Sequence, residues 1–384
     1  MLYRPVGKIG QKVSILGFGC MRLPIREDKA HLIDEEKAQA MVDYAIRNGV
    51  NYFDTAYIYH SEVPFQAGMS EVFLGRALRP QREKVYVATK LPSWLIEGRA
   101  DMDRYLDQQL ERLQTDHIDF YLVHGLTGEI YQKLSQRGVT EFLDAAKGDG
   151  RIKHAGFSFH DEAPRFKPIV DAYDWAFCQI QYNFMDEDFQ AGREGLQYAA
   201  SKGLGVVIME PLRGGGLTAR VPEEVQAVWN KGPVTRTAAE WALRFVWNRP
   251  EVSVVLSGMT ELWQLEENLR IANAGLANSL SEAELALIQE AKAIYQARTR
   301  VNCTSCGYCM PCPQGVNIPA NFLQLNNLAI YRNRESAEFF YFHILKAEQR
   351  ATHCEECGQC EELCPQHIPI PTMLKEVARE FAHR

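Results

Sequence analysis

The chain has 384 residues, of which 46% are apolar and 24% charged, and this average composition excludes a disordered, collagen-like or low-complexity protein. The length allows two or three ordinary domains, or one large barrel with an appendage. The formal charge of −7, from 42 basic and 49 acidic residues, argues against a nucleic acid or an anionic membrane as the main partner. No apolar run reaches the roughly 20 residues that cross a bilayer, and the first residues lack the pattern of a signal peptide. We therefore expect a cytoplasmic protein whose partners are small molecules or proteins.

Short apolar segments of strand character alternate with longer segments of helical periodicity over most of the chain. Residues 6–10 predict the turn of a hairpin that leads into a first strand. Eight strands are predicted, at residues 13–16, 50–53, 85–88, 118–123, 154–157, 176–180, 206–208 and 252–256. The predicted helices include residues 35–48, 102–114, 190–202, 234–247 and 263–274, and Gly49 and Gly203 are expected to end two of them.

This alternation predicts an α/β protein with parallel strands joined by right-handed crossovers. Eight repeats in about 260 residues fit a (β/α)8 barrel of the TIM type. A doubly wound sheet is the alternative, but it would need a Gly-x-Gly-x-x-Gly turn after the first strand, and residues 17–22 contain only the first two glycines.

A further helix is predicted over residues 281–296, with Ser281 and Glu284 as its capping box. It precedes a cysteine-rich tail, so a domain boundary is expected near residues 298–302. We therefore predict a barrel domain of residues 1–298 and a second domain of residues 299–384.

Ionisable residues follow three of the predicted strands, where a barrel of this kind carries its catalytic groups. Asp54 and Tyr59 follow the second strand, Lys90 the third and His124 the fourth. Singly, such residues are more often structural. Together they suggest that the Lys90 cation lowers the pKa of the Tyr59 phenol toward working pH while Asp54 holds the lysine. Tyr59 would then protonate an alkoxide as hydride reaches a carbonyl carbon, and His124 would orient the carbonyl oxygen.

These residues resemble the aldo-keto reductase family. Residues 51–59 are similar to its Asp-Thr-Ala-x-x-Tyr signature, residues 88–90 and 119–124 match its lysine and histidine elements, and residues 70–78 resemble the helix after the tyrosine loop. The likeness covers residues 1 to about 295. It implies a nicotinamide cofactor, NAD(P)H, extended across the strand ends without a Rossmann-type glycine turn.

The resemblance also implies cofactor-binding residues. Ser158 and Gln179 match the residues that hold the carboxamide, and Met209 stands where many relatives stack an aromatic ring on the nicotinamide. The pyrophosphate loop is matched by three consecutive glycines, Gly214, Gly215 and Gly216, which could also be a flexible surface loop. The adenosine-binding strand and helix are matched by Ser257, Gly258, Met259, Gln264, Glu267 and Asn268.

Besides Met209, three positions depart from the family pattern. Phe159 stands where an asparagine commonly completes the carboxamide site, and Gly258 and Gln264 replace the lysine and arginine that often pair with a 2′-phosphate. Without those cations a phosphate dianion loses charge-assisted hydrogen bonds. NAD and NADP both stay open, and we expect the chain to discriminate between them by less than about a hundredfold, roughly 2.7 kcal/mol.

Eight of the ten cysteines fall in two runs in the tail. The first run, with two residues in each gap, comprises Cys303, Cys306, Cys309 and Cys312. The second, with gaps of two, two and three residues, comprises Cys354, Cys357, Cys360 and Cys364. The second run has the ligand pattern of bacterial-type [4Fe–4S] ferredoxins, in which the fourth cysteine ligates the other cluster. By that rule two [4Fe–4S] clusters are expected, each held by three cysteines of one run and the last cysteine of the other.

Two zinc sites with four thiolates each are the alternative, although zinc gives no reason for a third cysteine at the same spacing. Disulfides are disfavoured because the chain has no export signal. Helical periodicity over residues 318–328 and 336–349, between the two runs, makes the tail resemble α-helical ferredoxin domains. Cys20 and Cys178 lie on barrel strands and are expected to be buried apolar residues.

Three functions of different class remain. The leading one is an NAD(P)H-dependent carbonyl reductase or alcohol dehydrogenase. The second is an electron-transfer oxidoreductase whose clusters feed the barrel through a flavin or a ferredoxin-like partner, because clusters pass single electrons and hydride transfer moves two. No flavin fingerprint is visible. The third is a non-catalytic redox sensor that binds a dinucleotide. The substrate pocket is expected near Tyr57, His60, Trp94, Phe159 and His160, a partly aromatic and partly polar set.

Overall fold

The structure is a computed structural model that describes residues 1–27, 29–63, 65–219, 221–303, 307, 309–331, 334–364 and 366–382. The chain divides into two compact units. The first consists of Met1–Thr218 and Arg236–Leu285, and the second of Ala219–Thr235 and Ala286–Arg384. Among the described residues, no helix has the length and apolar character that spanning a membrane requires.

A closed barrel of eight parallel strands forms the centre of the first unit. An antiparallel hairpin of β1 (Tyr3–Pro5) and β2 (Lys12–Ser14) precedes it. The barrel strands are β3 (Leu16–Gly19), β4 (Tyr52–Asp54), β5 (Tyr86–Leu91), β6 (Ile118–Leu126), β7 (Ile152–Phe159), β8 (Phe177–Gln181), β9 (Gly205–Met209) and β10 (Val252–Gly258). They pair in chain order, and β10 closes the barrel against β3. The predicted (β/α)8 fold is therefore confirmed.

Helices follow the strands along the chain. They are α1 (Glu35–Arg47), α2 (Ser70–Leu78), α3 (Arg99–Leu113), α4 (Gly128–Ser135), α5 (Val139–Gly148), α6 (Ala163–Asp171), α7 (Gly192–Ser201), α8 (Glu223–Trp229), α9 (Ala238–Trp247), α10 (Leu262–Ala272) and α11 (Glu282–Arg298). The predicted helix at 234–247 begins only at Ala238, because the Thr237 hydroxyl accepts a hydrogen bond from the Glu240 N–H at 3.1 Å and caps the helix there. Helices α4, α5, α6 and α8 were not among the helices named from the sequence. Helix α6 contains Pro168 in its interior, while Pro164 lies in its first turn, where proline is tolerated.

The hairpin packs against the amino end of the barrel interior. Its residues Val6 and Val13 are fully buried in one apolar cluster with strand residues that include Tyr52 and Phe120. The N–H of Lys8 also donates to the carbonyl of Gly203, just before β9, at 2.7 Å. Because this end is filled by apolar side chains, the polar strand ends at the opposite rim are the place for a site.

Local signals at helix ends behave as predicted. Gly49 and Gly203 have φ values of +89° and +79° and end α1 and α7 in the left-handed region. At the start of α11, the Ser281 N–H donates to the Glu284 carboxylate at 2.8 Å, and the Glu284 N–H donates to the Ser281 hydroxyl at 3.3 Å. The predicted capping box is therefore present.

The second unit is helical. Its further helices are α12 (Ile318–Tyr331), α13 (Arg334–Phe339), α14 (Gln359–Glu362) and α15 (Ile370–Glu380). Its apolar core contains Phe322 and Leu325 of α12, Tyr341, and Val377 of α15. The helix predicted over 336–349 is interrupted, because a π-helical turn, Phe340–Ile344, follows α13.

The chain does not divide at one point, because each of the two units consists of two segments. The segment Ala219–Thr235, which contains α8, belongs to the second unit although it lies within the predicted barrel domain. Helix α11 begins in the first unit and ends in the second. The boundary near residues 298–302 stays a prediction.

Candidate active site and cysteine sites

The barrel brings the four predicted catalytic residues to one rim. Asp54 is the last residue of β4, Lys90 precedes the last residue of β5, and His124 lies near the end of β6, while Tyr59 follows β4 in its loop. Because the strands are parallel, their carboxyl ends lie at the same end of the barrel. Residues separated by up to 70 positions in the sequence thus become neighbours.

Lys90 is the centre of this group and is fully buried. Its ammonium Nζ donates to the Asp54 carboxylate at 2.7 Å, to the Thr55 carbonyl at 2.7 Å and to the Tyr59 hydroxyl at 3.4 Å. Burial disfavours the ammonium, but the charge of Asp54 and the hydrogen bonds outweigh it and raise the pKa of Lys90. The structure therefore holds a cation beside the Tyr59 hydroxyl.

The pKa of Tyr59 differs from the sequence-based expectation. Burial raises the pKa of this phenol, and the Lys90 charge, which lowers it, does not compensate for the burial. Lys90 thus lowers the pKa of Tyr59 as predicted, but the net shift is upward because burial has the larger effect. A phenol with a raised pKa stays protonated at neutral pH, which is the state that a proton donor requires.

His124 lies beside Tyr59, with ring centroids 6.3 Å apart. The strand bulges there, because the pairing of β6 with β7 shifts between Val123 and Leu126 and the Gly125 N–H donates to the Ser158 hydroxyl at 2.8 Å. Burial, and secondarily the charge of Lys90, lowers the pKa of His124 well below its ordinary value. His124 is therefore a neutral imidazole at physiological pH.

This buried neutral histidine predicts a pH dependence of stability. Below about pH 6.5 the unfolded chain binds a proton at His124 that the native state does not bind, so the native state loses up to about 1.4 kcal/mol per pH unit as the pH falls. We expect the free energy of unfolding of the wild type to fall more steeply between about pH 6.5 and 5 than that of His124→Gln. Chemical denaturation at several pH values measures this. The exposed His353→Gln is the control, and parallel curves for wild type and His124→Gln would refute the prediction.

The residues predicted to hold a carboxamide are adjacent. Ser158 on β7 is the register partner of Gln179 on β8, and both are buried. The Gln179 side-chain nitrogen lies 3.7 Å from the Met209 sulfur, which places Met209 next to this pair. The Gln179 Oε1 atom is buried and has no hydrogen-bond partner among the described residues. An unpaired buried amide oxygen is costly, so it fits a ligand that donates a hydrogen bond there.

The three glycines form a tight turn after β9. Gly214 and Gly215 have φ values of +65° and +91°, which favour glycine, and a Cβ added at Gly215 would meet no atom within 4 Å. Thr218 closes the turn, because its N–H donates to the Gly215 carbonyl at 3.0 Å. Gly216, at the end of the turn, has a helical φ of −59°. This partly exposed backbone fits the close approach of a phosphate.

Arg22 was missed by the sequence analysis. Its guanidinium lies 3.6 Å from the Glu210 carboxylate and would be 2.9 Å from a Cβ at Gly214, while its side chain also packs within 3.2 Å of a Cβ built at Gly258. Gly258, which has no side chain, thus leaves room for this arginine. The only sequence signal was its position after the glycines that end β3.

The predicted adenosine-binding residues lie at the end of β10 and on α10. The Asn268 amide donates to the buried Ser257 hydroxyl at 3.0 Å, and Met259 is buried. The side-chain oxygen Oε1 of Gln264 accepts hydrogen bonds from the N–H groups of Thr260 at 2.8 Å and Glu261 at 3.1 Å, so it caps α10. The partly exposed Glu267 and the exposed Gly258 complete this set.

Of the residues expected at the substrate pocket, His160 and Trp94 lie near His124, whereas the other three are held by contacts elsewhere in the barrel unit. Trp94 lies beside His124, with ring centroids 5.2 Å apart. Tyr57 instead packs on Tyr105 of α3, and Phe159 packs on Phe166 of α6. His60 is buried, and its ring accepts the Leu23 N–H at 3.2 Å. Tyr57 and Phe159 are therefore engaged in ring packing, and His60 in a backbone hydrogen bond.

One predicted cluster takes the first three cysteines of the first run and the last cysteine of the second run. Three of these four cysteines line a cavity in the second unit. Cys303, Cys309 and Cys364 line it, together with Ile318 and Phe322 of α12. The fourth predicted ligand of this set, Cys306, lies outside the described residues. The cavity thus brings the last cysteine of the second run to two cysteines of the first.

The four cysteines predicted to hold the other cluster also lie close together. The pKa of Cys360 is raised to about 11 by burial and by the neighbouring cysteines Cys354, Cys357 and Cys312. Within the described ranges, no three histidine, cysteine, aspartate or glutamate side chains are grouped closely enough to hold a single metal ion. A [4Fe–4S] cluster takes one thiolate per iron around a cubane, so these thiols fit its donor set. Cys20 and Cys178 are fully buried in the barrel, as predicted.

Comparison with known proteins agrees with the fold and with the two parts of the chain. The profile of the Aldo/keto reductase family matches residues 15–293, and that of the 4Fe-4S dicluster domain matches residues 302–368. The L-galactose dehydrogenase of Arabidopsis thaliana is 29% identical over 324 residues, which cover 74% of this chain and 93% of that protein. The uncharacterized oxidoreductase YqkF of Bacillus subtilis (strain 168) is 26% identical over 319 residues, or 75% of this chain and 96% of that protein.

A solved structure shows the same barrel. The holo form of the aldo-keto reductase AKR11C1 from Bacillus halodurans superposes with a TM-score of 0.62 at 26% identity and covers 76% of this chain and 96% of that one. The fold and the site define an oxidoreductase built on a (β/α)8 barrel. The chain belongs to the aldo/keto reductase family, and a 4Fe-4S dicluster domain follows its barrel.

Proposed function

We propose that this protein reduces an aldehyde or ketone by hydride transfer from NAD(P)H, with Tyr59 as the general acid. The observation that carries the proposal is the buried contact of Lys90 with both the Asp54 carboxylate, at 2.7 Å, and the Tyr59 hydroxyl, at 3.4 Å. A buried ion pair that leaves one donor of the lysine on a phenol is suited to controlling a proton on that phenol.

In this proposal each residue has one task. The Tyr59 hydroxyl gives its proton to the carbonyl oxygen as negative charge develops there, and the Lys90 cation stabilises the phenolate that remains. Asp54 keeps Lys90 charged and in place. His124, as a neutral imidazole, holds the carbonyl oxygen by a hydrogen bond. Bound NAD(P)H would supply the hydride.

The residues present fit a nicotinamide dinucleotide. Ser158 and Gln179 would hold the carboxamide, and Met209 would pack on the nicotinamide ring. The turn of Gly214, Gly215 and Gly216 would hold the pyrophosphate. The adenosine would be held by Ser257, Gly258, Met259, Gln264, Glu267 and Asn268.

Arg22 should strengthen dinucleotide binding, since it lies between the glycine turn and Gly258. A charge-assisted hydrogen bond contributes about 1.5–3 kcal/mol, so we expect Arg22→Met to raise the dinucleotide Kd roughly tenfold to hundredfold with kcat nearly unchanged. Fluorescence titration of NADH and NADPH measures this. The matched control is Arg26→Met, because Arg26 pairs with Asp34 at 3.1 Å on the surface. An unchanged Kd in Arg22→Met would exclude this role.

Isotope transfer tests the proposed reaction directly. The purified protein is incubated with a panel of aldehydes and ketones and with NAD(P)H carrying deuterium at the transferable position. The expected product carries deuterium on the former carbonyl carbon, because hydride moves directly between cofactor and substrate. Oxidation of NAD(P)H without deuterium in any product would contradict the proposal.

Electron transfer between the clusters and the barrel is a second candidate function, which the dicluster domain favours. Clusters pass electrons singly, so a flavin or an external partner protein would have to convert single electrons into a hydride. Flavin analysis of the anaerobically purified protein tests this, because a stoichiometric flavin supports it. Absence of flavin, together with deuterium transfer by the protein alone, would contradict it.

A further inference from the structure

A buried carboxylate outside the four catalytic residues connects the two parts of the chain that carry Lys90 and Tyr59. Glu71, on α2, is fully buried. Its Oε1 atom accepts hydrogen bonds from the Thr89 hydroxyl at 2.6 Å and from the Gln109 amide at 2.7 Å, and its Oε2 atom accepts one from Arg112 Nε at 2.8 Å. A carboxylate that is buried to this extent needs such partners.

On one side, these bonds hold the strand that carries Lys90. Thr89 is the residue before Lys90, and the Gln109 amide also donates to the Lys90 carbonyl at 3.0 Å. Gln109 is held in turn by the Tyr121 hydroxyl, which donates to its Oε1 atom at 2.8 Å. The backbone on both sides of the Lys90 Cα is therefore held through Glu71 and Gln109.

On the other side, Glu71 is connected through Arg112 to the loop that carries Tyr59. The Arg112 guanidinium donates to the Gly68 carbonyl, and the Gly68 N–H donates to the Tyr57 carbonyl at 2.8 Å. A Cβ at Gly68 would lie 2.0 Å from the Tyr59 carbonyl oxygen, so the two backbones are in close contact. The N–H of Ser70, next to Glu71, donates to that same Tyr59 oxygen at 3.1 Å.

We propose that Glu71 and Arg112 are positioning residues that set the distance between the Lys90 ammonium and the Tyr59 hydroxyl. Neither residue touches Tyr59 or Lys90 Nζ in this role; each acts through the backbone that it holds. The inference rests on the proposed role of Tyr59 as proton donor. It adds that turnover requires an intact hydrogen-bond network around Glu71 and Arg112. If that network is loosened, Lys90 and Tyr59 move apart although both side chains are still present.

Glu71→Gln is the first test, because it keeps the shape of the side chain and removes its charge. We expect kcat to fall about tenfold to hundredfold with KM little changed, since only the reacting geometry is disturbed. Arg112→Lys should retain more activity than Arg112→Met, because a cation still faces Glu71. Thr89→Val, which removes only one hydroxyl, is the milder variant should the charge variants not fold.

Titration of Tyr59 is the second measurement and needs no turnover. The ionisable groups that face Tyr59 are Lys90, Asp54, Cys20 and His124. The tyrosinate absorbance of Tyr59 is obtained by subtracting spectra of the same protein with Tyr59→Phe. Because the Lys90 charge favours the phenolate, its displacement in Glu71→Gln should move the ionisation of Tyr59 to higher pH.

Asp119→Asn is the matched control. Asp119 forms a comparable, mostly buried ion pair with Arg82 at 2.8 Å, but it lies at the amino end of β6. We expect it to lower the unfolding temperature without moving the Tyr59 titration. An unchanged Tyr59 titration in folded Glu71→Gln, Arg112→Met and Thr89→Val would overturn the inference. Full activity in Tyr59→Phe together with a shifted titration would instead overturn the proposed function and leave the positioning role intact.

Discussion

Replacing Tyr59 by phenylalanine should lower kcat for carbonyl reduction by about a hundredfold to ten-thousandfold, the usual contribution of a positioned general acid. The substitution removes the only atom of this side chain that Lys90 contacts by a hydrogen bond, at 3.4 Å. The ring, which lies 4.9 Å from Lys90 Nζ, is retained. We therefore expect the dinucleotide Kd to change by less than about twofold, because the proton is needed only in the transition state.

Two measurements separate these effects: NAD(P)H oxidation with a carbonyl panel gives kcat, and fluorescence titration gives the dinucleotide Kd. Tyr57→Phe is the matched control, since it removes a hydroxyl from the same loop on a side chain that packs on Tyr105. Its kcat should stay near that of the wild type. Undiminished turnover in Tyr59→Phe would show that another group supplies the proton.

Replacing Cys357 by alanine should remove one cluster. If each run supplies three thiolates to one cluster, this variant should lose about half of its iron and inorganic sulfide when purified anaerobically. The second unit should also unfold at lower temperature, because the free energy of metal binding contributes to the stability of such domains. Iron, sulfide and zinc analysis, the visible spectrum and thermal unfolding measure these effects.

Cys178→Ala is the control, because Cys178 is a fully buried residue of β8 in the barrel. It should keep the full iron content. A colourless wild type that contains zinc would refute the cluster prediction and support the alternative of two zinc sites. Equal loss of both clusters in Cys357→Ala would show that they do not assemble independently.

Much of the fold could be predicted because it depends on local periodicity. Eight strands separated by amphipathic helices already indicated a parallel barrel, and glycines marked the ends of α1 and α7. Where local patterns conflict, the prediction was less complete. Helix α6, which has Pro168 in its interior, was not predicted, and the π-helical turn at Phe340–Ile344 interrupts a segment with continuous helical periodicity.

In the candidate site, too, some residues could be predicted from the sequence and others could not. Asp54, Tyr59, Lys90 and His124 could be named because motifs at strand ends are brought together in any barrel of this topology. Arg22 and Glu71 could not, since their partners come from distant segments such as Gly214, Gly258 and Arg112. Gln264, predicted to contact a cofactor, has a further role that its spacing did not indicate, because its side-chain oxygen caps α10.

The sequence therefore sufficed for the order of the strands, the identity of the thiols in the tail and the four residues at the barrel rim, because each is encoded by spacing along the chain. The protonation of those residues required the folded barrel. Burial outweighs the charge of Lys90 at Tyr59 and keeps His124 neutral. Burial depends on packing from every neighbouring strand and helix, and that packing cannot be calculated from the spacing of a motif.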